Sequence, residues 1–217
     1  MSRQDENSGD RIALKALPVE AVVFDVGRVI VEWDLRHLFD RLIADPAERD
    51  WFLATVVTEE WHFQHDAGRP LDDMIAERVA EFPDYAEHIR TYRSRFLETL
   101  PGPVPGTTDL IERLAKRAVP LYAITNFEAE FWRQFKPTLP VLNQFRDIVV
   151  SGDELLAKPD PHIFELAAER FGHAPEAMLF IDDNAANIAA AAKLGWQVHH
   201  FTNAAGLAAE LEARALI

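Results

Sequence analysis

The stretch "VVFDVGRVIVEWD", Val22 to Asp34, carries an apolar run onto a carboxylate, Asp25, and two residues later onto a glycine, Gly27. An apolar, β-rich run without polar alternation reads as a strand buried on both faces. Four later runs share that character: "PLYAIT" (120 to 125), "RDIVVS" (146 to 151), "AMLFID" (177 to 182) and "QVHHFT" (197 to 202). Between them "TTDLIERLAKRA", "PHIFELAAERFG" and "NAANIAAAAKLG" show helical spacing, with Thr, Asp or Asn near the start and glycine closing the last two. Alternating strands and helices give a parallel sheet, so the expected fold class is α/β, a three-layer α/β/α Rossmann-like core.

About a third of the chain, between the first two strands, has a different pattern. Leu35, Leu38, Phe39, Leu42 and Ile43 follow a candidate cap at Asp34; Leu71, Ile75 and Val79, then Tyr85, Ile89, Tyr92 and Phe96, repeat at helical spacing. "LPGPVPG", Leu100 to Gly106, reads as a stiff linker back to the sheet. The expected organisation is a core of residues 1–33 with 104–217, of which 1–17 read as a mobile polar leader, and an inserted helical cap over 34–103. A net charge of −14 disfavours a nucleic-acid surface, and the apolar runs are too short to span a bilayer. The absence of cysteine removes disulfides and thiolate metal sites, and no signal-like stretch opens the chain. A cytoplasmic monomer or homodimer, without nucleic-acid or membrane partners, is expected.

In an open parallel sheet, ligands gather beyond the carboxyl ends of the strands. There the sequence puts Asp25, Thr125 with Asn126, Lys158, and Asp182 with Asp183. Three carboxylates converging on one mouth repel one another unless cations balance them, and the cluster calls for a divalent cation and an anionic substrate. A carboxylate can attack phosphorus to form an aspartyl-phosphate, the role that suits Asp25. Mg2+ prefers oxygen ligands, which Asp25, Asp183, Asp182 and the backbone carbonyl of Gly27 can supply. The Thr125 hydroxyl and the amides around Asn126 can hold phosphoryl oxygens, while Lys158 neutralises charge.

Four segments, "FDVGRVIV", "AITNF", "AKPDPHIFELA" and "FIDDNAANI", in this order and each at the end of its element, resemble the motifs of the haloacid dehalogenase-like hydrolase superfamily. The resemblance extends from about Val19 over nearly the whole chain and is to members with a helical cap inserted after the first strand. It implies Asp25 as nucleophile, Thr125 as phosphate ligand, Lys158 as the motif lysine and Asp183 as principal metal ligand, assisted by Asp182. Asn187 matches a position often held by an acid in the family, and its amide suits hydrogen-bonding support. The implied substrate is a small phosphorylated molecule.

Most phosphatases of this family carry a second aspartate, a general acid and base, two residues after the nucleophile; this chain has Gly27. The Asp-x-Gly motif resembles that of sugar-phosphate phosphatases. Losing a positioned general acid costs about a hundred-fold or more in rate, so good leaving groups such as a sugar 1-phosphate or an aryl alcohol are expected. One alternative is a 2-haloacid dehalogenase using Asp25 to displace halide, against which the paired acids of "FIDDN" argue; another is an inactive protein that only binds phosphorylated ligands. In the insertion, "EWHFQHDAGRP" offers His62, Gln64, His65 and Arg69 as specificity residues or as a substitute proton donor. Its glycine reads as a turn between helices. Arg28 and Trp33 are placed to line the pocket or its hinge.

Overall fold

The structure, a computed structural model, describes residues 18–217, so the expected leader at 1–17 lies outside the described residues. Five parallel strands, β1 (Ala21–Phe24), β2 (Leu121–Thr125), β3 (Asp147–Val150), β4 (Met178–Asp182) and β5 (Gln197–His200), form one sheet in the order β3-β2-β1-β4-β5. Successive side chains of a strand face opposite ways, and β1 shows the consequence. Val22 and Phe24 join a cluster with Leu110, Ile111, Leu207 and Leu211, whereas Ala21 and Val23 join one with Ile163, Phe164 and Ala191. The first cluster draws on α6 (Thr107–Lys116) and α11 (Ala204–Ala213), the second on α9 (Pro161–Phe171) and α10 (Ala185–Lys193). The result is the expected three-layer α/β/α core. The three inner strands are buried on both faces, but β5 and the start of β3 are not, because they are the sheet's edges.

Between β1 and β2 the chain forms α1 (Arg36–Phe39), α2 (Pro46–Thr55), α3 (Glu59–Asp66), α4 (Leu71–Glu81) and α5 (Ala86–Ser94). The apolar spacing from Leu35 to Ile43 yields only the four residues of α1. Leu35 stands at the N-cap position, and Asp34, one residue earlier, accepts from Arg36 N at 2.8 Å. Asp45 caps α2 through Glu48 N, and Thr58 caps α3 through Trp61 N, two short helices whose packing faces the sequence pattern does not mark. Gly68, with φ 98°, makes the turn between α3 and α4. The return segment is more than a stiff linker. It runs antiparallel to the outgoing one, with Asp34 N bonded to Thr99 O, Glu32 N to Gly102 O, and Val104 N to Ile30 O. Hydrophobic packing is continuous across this junction, since Phe52, Trp61, Met74 and Tyr92 belong to the same cluster as Val22 and Phe24. Among the described residues no helix is long and apolar enough to cross a membrane.

α7 (Ala129–Phe135), capped by Glu128, follows β2, and α8 (Ser151–Glu154) follows β3. The start of α8 crosses the loop after β2 at close range. Ser151 Oγ accepts from Phe127 N at 2.9 Å and donates to Asp66 O in α3 at 2.7 Å, tying that loop to the insertion. A Cβ on Gly152 would stand 2.4 Å from Ala129 N and 2.9 Å from Phe127 O. These are backbone atoms, which cannot move aside as a side-chain tip could. Gly152→Ala is therefore expected to destabilise the fold by about 1–3 kcal/mol or more, as overpacking does, read as a lower urea midpoint with an unchanged slope.

Candidate active site

Every strand of a parallel sheet points its carboxyl end the same way, so residues just past β1, β2 and β4 meet without further design. Asp25 follows β1, Thr125 ends β2, and Asp182 ends β4 with Asp183 next. Oxygen atoms of Asp25, Asp182 and Asp183 all lie within 4.8 Å of one another. Lys158 reaches them from the loop between α8 and α9. Its Nζ is 2.8 Å from Asp25 Oδ1, 2.7 Å from Asp182 Oδ2 and 2.8 Å from the carbonyl of Ile124. The ammonium's three donors are thus matched by three acceptors.

The two carboxylates around Lys158 differ in what remains free. Asp182 is fully buried and saturated: Oδ1 accepts from Asn184 N, Asn187 donates to both oxygens, and Lys158 takes Oδ2. Asn187 is the support its amide suggested, and Asp182 holds Lys158 without presenting a free oxygen. Asp25 accepts from Val26 N and from Lys158 through Oδ1 and lines a cavity of about 340 Å³. Burial raises its carboxyl to about 7 against the opposing pull of Lys158, with Asp182 and Asp183 adding to the rise. Burial lowers the Lys158 ammonium, but Asp182 and Asp25 outweigh it and leave it above its ordinary value. Asp183 is raised by burial and then by Asp182, and makes no ion pair among the described residues.

Thr125 is 1% exposed, and its Oγ1 has no partner in the protein. A buried hydroxyl left without a bond costs about 1–3 kcal/mol, so this one, a residue past the Ile124 carbonyl that Lys158 bonds but not itself among the cavity-lining residues, is one that an added acceptor would satisfy. Asn126 lines the cavity but spends its side-chain amide elsewhere, donating to Lys158 O at 2.9 Å and accepting from Lys158 N at 2.8 Å. It is a clamp on the lysine's backbone. Gly27 also lines the cavity; a Cβ there would meet nothing within 4 Å, and its φ is not in the left-handed region. Neither space nor backbone conformation requires glycine at this position.

The insertion supplies the opposite wall with Trp33, His62, Phe63, Asp66 and Phe96. His62 is there, but its Nδ1 is bonded to the Tyr92 hydroxyl, and its Nε2 is turned to Asp66 Oδ2 at 3.1 Å. It offers the cavity a ring rather than a free N–H. His65 is not in this cavity: Nδ1 meets Arg69 O at 2.9 Å, Nε2 faces Glu128 at 3.6 Å, and the residue lines a separate depression. The i, i+3 spacing of the two histidines, a little under one helical turn, leaves about 60° between them, enough to point them into different cavities. Gln64 and Arg69 pair with each other, also outside the cavity over Asp25. Arg28 lines the cavity with its guanidinium 4.6 Å over the Trp33 ring and is paired with Glu59. Asp66, which sequence spacing gave no reason to single out beyond helix capping, is the functional candidate missed. Lys158→Ala would leave fully buried Asp182 with an unpaired charge, and a loss of about 3–5 kcal/mol in chemical denaturation is expected. Asp182→Asn in the same background should recover part of it.

A family model described as haloacid dehalogenase-like hydrolase matches residues 19–195. Among curated proteins, the phosphoglycolate phosphatase of Escherichia coli K12 is 34% identical over 92 residues, covering 42% of this chain and 36% of that protein. The phosphoglycolate phosphatase of Thiobacillus denitrificans is 26% identical over 84% of this chain and 82% of that one. The chain spans only 17% and 36% of the length of the first curated relatives it matches. Among solved structures, a hydrolase from Deinococcus radiodurans with bound phosphate and sodium superposes with TM-score 0.67 at 19% identity, covering 94% of this chain and 99% of that one. A Bacteroides thetaiotaomicron enzyme in complex with magnesium gives 0.65 at 17% identity, covering 86% and 95%. A dehalogenase gives 0.63 at 17%, covering 83% of both chains. At these identities the structural likenesses speak for the fold, whereas the model match spans most of the chain: it belongs to the haloacid dehalogenase-like hydrolase family.

Proposed function

We propose that the protein is a Mg2+-dependent phosphatase that hydrolyses a small phosphate monoester, a sugar phosphate or similar metabolite, through a phospho-Asp25 intermediate. The observation that carries this reading is the Lys158–Asp25 pair lining the cavity, with the unpartnered, buried Oγ1 of Thr125 one residue past the Ile124 carbonyl that Lys158 also bonds. A hydroxyl donor and an ammonium flanking a buried carboxylate suit a tetrahedral dianion. In this reading residues 18–33 and 104–217 are the catalytic core and 34–103 a cap that excludes water. The donor set fits Mg2+: Asp25 and Asp183 have free oxygen positions, the Gly27 carbonyl is close in sequence, and saturated Asp182 contributes charge. When bound, the ion would neutralise phosphoryl oxygens and counter the repulsion between Asp25 and the substrate.

A carboxylate oxygen of Asp25 attacks phosphorus while the bond from phosphorus to the leaving oxygen breaks. Lys158 keeps Asp25 aligned and offsets charge on the equatorial oxygens, with Thr125 donating to one of them. The leaving oxygen takes a proton from a solvent water retained under the cap, since no acid stands at Gly27. Water then attacks the phosphorus of the aspartyl-phosphate, the Asp25–phosphorus bond breaks, and phosphate leaves with Asp25 restored. In a 2-haloacid dehalogenase the attack would be on carbon and the product halide, a reading that the paired acids at Asp182 and Asp183 disfavour.

Turnover of p-nitrophenyl phosphate and of a sugar-phosphate panel should require magnesium and fall at least about 10³-fold in Asp25→Asn. Turnover that is indifferent to chelator, with halide released from 2-chloropropionate, would favour the dehalogenase instead. The open space at Gly27 gives a second test. Gly27→Asp should raise kcat on glucose 6-phosphate about tenfold or more, with little gain on p-nitrophenyl phosphate, whose leaving group departs unprotonated. Equal effects on the two substrates would speak against solvent as the proton source.

A further inference from the structure

The cavity over Asp25 has a second polar end. Asp66, the last residue of α3, is 2% exposed and lines the same cavity as Asp25 and Lys158. It is held from both main chain and side chain: Ser151 Oγ donates to its carbonyl at 2.7 Å, and His62 Nε2 lies 3.1 Å from its Oδ2. The imidazole is itself fixed. Trp33 and Phe96 pack on the ring with centroids at 4.8 and 5.6 Å, and the Tyr92 hydroxyl bonds Nδ1. Burial, with Asp66 and Glu128 adding, lifts the Tyr92 hydroxyl well above its ordinary range. With the Tyr92 O–H donated to Nδ1, the ring proton of the neutral imidazole sits on Nε2, facing Asp66.

This scaffold leaves one oxygen over. Asp66 Oδ1 has no hydrogen bond or ion pair with any described residue. Both cations of the cavity are committed, Lys158 to Asp25 and Asp182 and Arg28 to Glu59. Trp33, which lines the same cavity, has an indole Nε1 donor buried without a partner. A free acceptor and a free donor among aromatic rings match a hydroxyl, which can both give and take a hydrogen bond. An ammonium could satisfy only the first, and a carboxylate would meet Asp66 with no cation to balance it.

We propose that Asp66 selects the leaving group, accepting a hydrogen bond from a hydroxyl of the phosphate monoester seated on Asp25 and turning away leaving groups that carry a carboxylate. His62 and Tyr92 are positioning residues that aim Asp66. The inference rests on the phosphatase reading above, and it sets this chain apart from relatives named for phosphoglycolate, whose leaving group, glycolate, carries a carboxylate.

Three two-carbon monoesters differ only at the far end: 2-hydroxyethyl phosphate, phosphoethanolamine and 2-phosphoglycolate. Wild-type kcat/KM should favour the first over the last by about tenfold or more, and Asp66→Asn should shrink that ratio to about threefold or less. Because the readout is a ratio within one protein, a general loss of activity does not imitate it. Tyr92→Phe, which removes only the hydroxyl that orients His62, should move the ratio the same way by a smaller factor, and it carries the comparison if Asp66→Asn does not fold. Phosphoglycolate used as well as the hydroxyl ester, or a ratio unchanged in the folded variants, would overturn the proposal; a preference for phosphoethanolamine would overturn the hydroxyl assignment. p-Nitrophenyl phosphate reports on the phosphatase reading alone. Should it and the three esters go unhydrolysed, thermal stabilisation of Asp25→Asn decides. Stabilisation by the hydroxyl ester above phosphoglycolate, lost when Asp66→Asn is added, sustains the selectivity, and equal or absent stabilisation refutes it.

Discussion

Lys158 lies in a place where an isolated ammonium would not stay charged, buried with its Nζ within 2.8 Å of Asp25, Asp182 and the Ile124 carbonyl. The contacts are mutually dependent. Without Lys158 the two acids would repel each other; without the acids the ammonium would lose its proton to burial. Much of the surrounding structure serves this arrangement. Asn126 clamps the lysine's backbone, Asn187 and Asn184 saturate Asp182, and Asp25 is left lining the cavity. Such a centre is rigid before any ligand arrives, so little reorganisation is left for the reacting step.

The other half of the cavity is built on different physics. Its wall is aromatic, and its one carboxylate is oriented at a distance, through Tyr92, His62 and the Ser151 tie. Ser151 and Gly152 couple the two halves. They brace the loop after Thr125 against the end of α3, so the Asp25 end and the Asp66 end of the cavity are set by one junction. The antiparallel run of residues 30–34 against 99–104 and the continuous apolar cluster across it give that junction breadth. Gly27 takes on a specific meaning in this setting. The position has room for a side chain and no conformational need for glycine, so the missing acid is a chemical difference from the common family pattern and not a steric one.

How far the sequence could be read depended on range. Parallel strands announce themselves by apolar runs, and a polar residue that ends such a run, as Asp25, Thr125, Asp182 and Asp183 do, inherits its place from the sheet. Helices with a strong apolar face, such as α4 and α6, were also legible. α2, α3 and α7 were not: α2 buries only Phe52, α3 buries the polar His62, His65 and Asp66 beside Trp61, α7 spans just seven residues, and their starts rest on single caps, Asp45, Thr58 and Glu128. Edge exposure of β5 depends on strand order, which no local pattern encodes.

The sequence by itself determined the α/β sheet, the insertion after β1, the acids and lysine at the strand ends, and the absence of a second acid at position 27, since each is a property of a short segment and its spacing. Tertiary structure decided which carboxylates stay free and which are saturated, that Asn126 serves the lysine's backbone, that His62 faces the cavity while His65 does not, and that Asp66 stands there with an unused oxygen. Each of these turns on a partner 24 or more residues away, on the count of partners already taken, or on helix rotation, quantities fixed only when the chain is packed.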